Sequence, residues 1–149
     1  MTPSTPAISA PGSKPKPPKR FVFRRRHRLI HAKQFAAVYN AKLRKSAGPI
    51  TVFAGANDVG HPRLGLSIGR RVGPAVARNA VKRRIREAFR HLAPSIDDGV
   101  DLVVSARAHE VLKTEAYIAA LRECIGALLR ELARRAAREE RRQERDGAA

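Results

Sequence analysis

The segment RNAVKRRIREAFR, residues 78–90, constrains the fold more than any other stretch of the chain. At about 100° per residue, Val81, Ile85, Ala88, Phe89 and Leu92 gather in one arc of a helix. Arg78, Lys82, Arg86 and Arg90 follow an i, i+4 row beside that arc, with Asn79 and Arg83 on the same polar side and Arg84 on the other shoulder. One face must bury against another layer, and the opposite face then carries a rank of cations. Like charges at i, i+4 destabilise an isolated helix by roughly 0.2–0.5 kcal/mol per pair. Glu87 is the one acid within the segment. A polyanion laid along the face would remove the repulsion.

The rest of the charge points the same way. The 149 residues hold 31 Lys and Arg against 13 Asp and Glu, a net charge of +18. Residues 1–86 contain a single acid, Asp58, and twenty Lys and Arg. A one-sided field of this kind attracts phosphates and speeds encounter with them, and every counterion displaced adds salt-dependent affinity. Composition and layout together predict a nucleic-acid partner. No basic amphipathic helix carries large apolar anchors, so no membrane partner is expected. One cysteine, Cys124, excludes an intramolecular disulfide framework and a Cys-based zinc cage. With no secretory signal and no long apolar run, the expected location is the cytoplasm.

The chain divides into three parts. Residues 1–19, with six prolines among Ser, Thr, Ala and Lys, read as a disordered basic tail. Residues 20–132 form the expected domain, and 133–149 a charged C-terminal extension, frayed or solvated, in which the charges surround the helix and no apolar stripe remains. Within the domain, RFVFRRRHR (20–28) is a basic run with two aromatics. His31 to Leu43 reads as a short helix with Phe35, Val38 and Tyr39 on one face; on these residues alone, Phe35 and Tyr39 read as core packing. Ser46–Pro49 is a turn signal. Ile50–Ala54, Arg63–Arg70 and Val100–Ala106 read as strands. In the second, Gly65, Ser67 and Gly69 alternate with Leu64, Leu66 and Ile68, which leaves one sheet face open to close approach. A long helix spans about Pro74 to Leu92, and a last one runs from Glu115 through Leu132 with Thr114 as its cap. The strand–helix–strand unit implies an α/β (α+β) two-layer sandwich with helices on a small sheet.

VGPAVARNAVKRRIREAFR closely resembles the signature helix of the bacterial ribonuclease P protein family. Arg78, Asn79, Lys82, Arg83, Arg86 and Phe89 match its hallmark; the third hallmark position is Ala80 where the family has Arg, and Arg84 or Arg71 could compensate. RLGLSIGRRVG resembles the family's glycine-containing strand ending in a basic pair, Arg70 and Arg71. RHRLIHAKQFAAVYN resembles its first helix, where Phe35 and Tyr39 match an aromatic pair in the substrate cleft, and Phe53 matches the aromatic on the facing strand. The resemblance covers about Phe21 to Leu132.

The resemblance implies a four-stranded mixed sheet, element order α-β-β-(β)-α-β-α, with a left-handed crossover between the parallel strands, against the general rule. It implies the protein subunit of a ribonucleoprotein endonuclease, a hydrolase that removes the 5′ leader of precursor tRNA. Its partners are then the catalytic RNA and precursor tRNA, with no obligate protein partner. Mg²⁺, bound chiefly by the RNA, serves the hydrolysis, and no protein residue is catalytic. Arg70, Arg71, Arg78, Asn79, Lys82, Arg83, Arg86 and Arg90 would bind the RNA subunit. Phe35, Tyr39 and Phe53 would bind the leader, since aromatic faces accept unpaired bases with little sequence preference; this revises their reading as core. The sequence shows no catalytic triad, HExxH or zinc spacing. Asp97, Asp98 and Asp101 cluster near a turn and read as solvation and capping, and Cys124 as a small core residue. The alternatives are a basic ribosomal or ribosome-associated RNA-binding protein, a stand-alone nuclease needing clustered carboxylates, and a DNA-binding module, for which no helix–turn–helix spacing is seen.

Overall fold

A computed structural model describes residues 23–96 and 99–148. The expected tail 1–19, the start of the basic run and Asp97–Asp98 lie outside the described residues. The elements are α1 (Ala32–Asn40), β1 (Leu43–Ala47), β2 (Ile50–Ala56), β3 (Arg63–Ser67), α2 (Ala75–Leu92), β4 (Val100–Ala106) and α3 (Thr114–Ala148), with short 3-10 turns at Arg25–His27, Arg70–Val72 and Ala93–Ser95. They form a mixed four-stranded sheet in the order β1-β2-β4-β3. β4 is antiparallel to β2 and parallel to β3.

The fourth strand, β1, begins at Leu43, the last residue of the expected helix, and runs into the expected Ser46–Pro49 turn. α1 stops at Asn40 because Lys42 takes a left-handed φ of 57°, a position usually left to Gly or Asn. β1 then pairs with β2 through a tight hairpin in which Ala47 faces Ile50. Gly48, at φ 56°, supplies the positive φ that such a turn requires at its first central residue. β3 is shorter than the sequence suggested, ending at Ser67 before the chain turns through Arg70–Val72 into α2.

Period-two alternation sorts the sheet residues. Ile50, Val52 and Ala54 of β2, Leu64 of β3, and Val100, Leu102 and Val104 of β4 face one side, where α2 and α3 cover them. The arc predicted for α2 is the one that buries: Val81, Ile85, Ala88, Phe89 and Leu92 pack against Tyr117, Leu121, Cys124, Ile125 and Leu128 of α3. Each large side chain buried there contributes roughly 1.5–3 kcal/mol. Cys124 sits in that core, and burial pushes its thiol up to about 11. Arg84, on the other shoulder, donates to the Leu112 carbonyl ahead of α3 and so points away from the cationic row.

Two expectations change. Lys113, not Thr114, caps α3, since its carbonyl accepts the Tyr117 and Ala116 N–H groups. α3 also continues as helix through the C-terminal extension, where every described side chain beyond Leu132 is exposed, so the segment is helical and solvated. Its residues are mostly strong helix formers, and Glu131 pairs with Arg134 and Arg138 at its base. Among the described residues no helix is long and apolar enough to cross a membrane.

Candidate nucleic-acid interface

The second face of the sheet carries Arg44 and Ser46 on β1, Thr51, Phe53 and Gly55 on β2, Asp101, Val103 and Ser105 on β4, and Arg63, Gly65 and Ser67 on β3. α1 crosses only part of it. The helix can approach because glycine lies beneath: a Cβ on Gly55 would stand 3.4 Å from Val38 Cα, and one on Gly65 only 2.8 Å from the Phe35 ring. Of the small residues predicted to admit a close neighbour, Gly65 therefore admits the Phe35 ring, whereas Ser67 is exposed and a Cβ on Gly69 would meet nothing within 4 Å; Gly55, which admits α1 itself, was not among them. Leu29, Val38 and Val103 form a small second core against which Phe35 and Phe53 pack.

Beyond α1 the face is uncovered. One cross-strand row there consists of hydroxyls: Ser46, Thr51, Ser105 and Ser67. Ser46 and Thr51 hydrogen-bond to each other at 2.8 Å. Tyr39 stands beside this floor at 38 % exposure, its ring edge-on to Phe53 with centroids 4.9 Å apart. Phe35 and Phe53 are half-buried. The three aromatics thus lie on the α1 side of the sheet, Phe35 and Phe53 against the small second core and Tyr39 against Phe53, and none is sealed in the core.

Phe35 also borders a groove of about 340 Å³ that runs round the β3 edge to α2. The groove's walls include Arg28, Ile30, Leu66, Lys82 and Arg86. Residues 28–29 reach it by running along β3, with the Leu29 N–H donating to the Leu64 carbonyl at 3.0 Å. No acid lines the groove, and among the described residues no acid pairs with Arg28, Lys82 or Arg86. Arg86 is half-buried, and its pKa is lowered first by burial and then by the like charge of Arg28. Two guanidiniums held together without a counter-charge form a site that an anion would relax.

The other predicted cations lie around this edge. Asn79 and Arg83 are exposed on the outer face of α2, and Arg70 and Arg71 are exposed on the turn before it. Arg78 is half-buried and donates from Nε to the Gly73 carbonyl at 3.3 Å. Arg90 differs from the rest: it is ion-paired with Glu87, which also has His91 at 3.5 Å, and Arg90 holds the Glu87 carboxyl below its usual range. Sequence reasoning missed Arg28 and Ile30 as groove residues. The basic run 20–28 was the available signal for Arg28, but nothing local showed that it would fold back along β3.

Asp101 requires a correction. It is buried on β4, not a solvated loop acid. Arg63 grips it from Nε at 2.8 Å and Nη2 at 2.7 Å, and Asn57 Nδ2 donates to it at 2.6 Å. The pair ties β3 to β4 and fixes the loop after β2. Among the described residues no three His, Cys, Asp or Glu side chains are grouped as metal ligands.

These features define a class: an α+β domain with a mixed four-stranded sheet that sets half-buried aromatics on one face and an acid-free cationic groove at one edge. A family model described as Ribonuclease P matches residues 23–132. The chain is 39% identical over 111 residues to the ribonuclease P protein component of Chromobacterium violaceum, covering 68% of this chain and 91% of that one. It is 46% identical over 87 residues to the corresponding protein of Pseudomonas aeruginosa, covering 57% of this chain and 64% of that one. The solved structure of the Staphylococcus aureus RNase P protein superposes with a TM-score of 0.54 at 27% identity, covering 71% of this chain and 94% of that one. This chain belongs to the bacterial ribonuclease P protein family.

Proposed function

We propose that this chain, as the protein subunit of ribonuclease P, binds the catalytic RNA and the 5′ leader of precursor tRNA and so supports Mg²⁺-dependent removal of that leader. Bases of the single-stranded leader stack on Phe35, Tyr39 and Phe53, at about 1–3 kcal/mol per base and with little regard for sequence. Arg70, Arg71, Asn79 and Arg83 meet phosphates of the RNA subunit from the outer edge, with Arg78 behind them. Lys82 and Arg86 share a groove with Phe35, so they act where the two RNAs come together. Arg90 contributes least, since binding a phosphate must first displace Glu87.

The single observation that carries this reading is the groove itself: a stacking ring beside three cations without an acid. Such a site is strained electrostatically in the free protein and relieved by a phosphate strand. The Mg²⁺ of the reaction belongs on RNA. The Asp101 carboxylate is already committed to Arg63 and Asn57.

The test adds the protein to its cognate ribonuclease P RNA at low Mg²⁺ and follows cleavage of precursor tRNA. Enhancement that depends on the RNA is expected. Cleavage by the protein alone would support a stand-alone nuclease, and absence of any enhancement would favour a ribosomal or other RNA-binding role. Phe35→Ala should weaken binding of leader-bearing precursor more than of mature tRNA; equal losses would remove the leader role.

A further inference from the structure

The helical extension of α3 sorts its charges by face. At about 100° per residue, Arg134, Arg135, Arg138, Arg141, Arg142 and Arg145 all fall within an arc of about 120°, and Glu139, Glu140, Glu144 and Asp146 all fall outside it. Glu131 pairs with Arg134 and Arg138 at the base of this face. Farther out, Arg141, Arg142 and Arg145 have no acid partner among the described residues. Glu139 borders the same surface hollow as these arginines, and Glu139 and Asp146 stand at i, i+4 from Arg135 and Arg142, so the face is cationic in excess and its acids lie at its margin. The segment lies beyond Leu132, where the match to the family ends. Nothing in the core requires it, for none of its described side chains is buried.

Arg135 Nη1 donates to the Ala41 carbonyl at 2.7 Å, which anchors the face to the C-terminal end of α1. Tyr39, exposed and edge-on to Phe53, is two residues from that anchor. Lys42 and Arg44 follow, both exposed, and Arg44 stands opposite Phe53 in the sheet. A cationic path therefore leads from the cleft over the start of β1 to Arg135. It then continues outward for about 15 Å, at roughly 1.5 Å per residue, to Arg145.

We infer that the arginine face of the C-terminal helix is a second docking surface for the precursor tRNA leader, holding the phosphates of its distal part after the strand leaves the aromatic cleft. This rests on the leader reading of the cleft. Residues 133–148 contain no aromatic. The surface therefore offers no stacking platform, and it engages backbone charge, independent of base identity. A single strand continuous with one already stacked in the cleft reaches this face without a separate encounter, so weak attraction suffices.

The experiment uses holoenzyme reconstituted from the full chain and its cognate RNA. Binding is measured across a salt series for precursor tRNAs with short and long leaders and for mature tRNA. The variant Arg141→Gln/Arg142→Gln/Arg145→Gln keeps good helix formers at exposed positions, so the fold is retained, and circular dichroism checks it. The variant removes three cations that each meet one phosphate of a single strand. The long-leader precursor should therefore bind about tenfold more weakly, and its salt slope should fall by about 2. The short-leader precursor should bind as it does to the parent protein. Equal weakening for short and long leaders, weakening for mature tRNA, weakened assembly with the catalytic RNA, or no change at all would each overturn the inference. Phe35→Ala separates this from the underlying reading. If that variant loses leader discrimination while the arginine variant does not, the cleft stands and the second surface falls.

Discussion

Gly65 shows what a single hydrogen atom in place of a side chain allows. The Phe35 ring lies where a Cβ would stand 2.8 Å from it, so Gly65→Ala must push the ring out of the groove. Overpacking of this kind typically costs about 1–3 kcal/mol, and the expected outcome is a lower Tm together with weaker leader binding. Asp101→Asn should be as costly for a different reason. It leaves the largely buried Arg63 without its charge partner, a loss on the order of 3 kcal/mol, readable as a shift in urea midpoint. His27 adds a pH dependence. It is buried, its Nδ1 accepts the Arg24 N–H at 2.9 Å, and its ring meets that of His61 edge-on at 5.2 Å. Burial first, then the nearby charges of Arg26 and His61, lower its pKa. The unfolded chain therefore binds the proton more readily than the folded one. Stability from this group is present above the unfolded value of about 6.5 and is lost as pH falls below it. His27→Gln should flatten the decline in Tm between neutral pH and pH of about 5; an unchanged slope would assign the acid sensitivity elsewhere.

At the scale of elements, α2 trades stability for binding. Its buried arc anchors it to α3, while Lys82 and Arg86 face Arg28 across the groove with no acid between them. Lys82→Gln together with Arg86→Gln should lower affinity for precursor tRNA and reduce the salt slope by about 1.5. The same pair should leave Tm unchanged or raised, because like-charge repulsion is removed. A loss of both binding and stability would show that these side chains pack and do not bind. α2 was legible in the sequence because its period is long, uninterrupted and bounded by Pro74. β1 was not. Its five residues, LRKSA, bury only Leu43 fully, and a strand made mostly of Lys, Arg and Ser has no alternation strong enough to announce itself. It exists because β2 offers an edge to pair with.

For the whole molecule, the sheet acts as a two-sided support. One face is sealed by α2 and α3, and the other is half covered by α1 and left open over a row of hydroxyls. The extension beyond Leu132 is peripheral to this support, tied to the body by Arg135 on the Ala41 carbonyl. Truncation after Leu132 should therefore change folding stability by less than about 1 kcal/mol, as expected for residues outside the core, while removing the leader-length dependence of binding. A large fall in Tm would show that the extension supports the fold.

The sequence by itself determined the charge asymmetry, the amphipathic α2 and three of the four strands, because composition, period and motif are local properties of the chain. Only the tertiary structure decided that Phe35, Lys82, Arg86 and Arg28 line one groove, that Asp101 is a buried partner of Arg63, and that Arg135 of α3 meets the end of α1. Those facts depend on which residues distant in sequence are brought together when two faces of one sheet are packed, and no window of sequence contains that information.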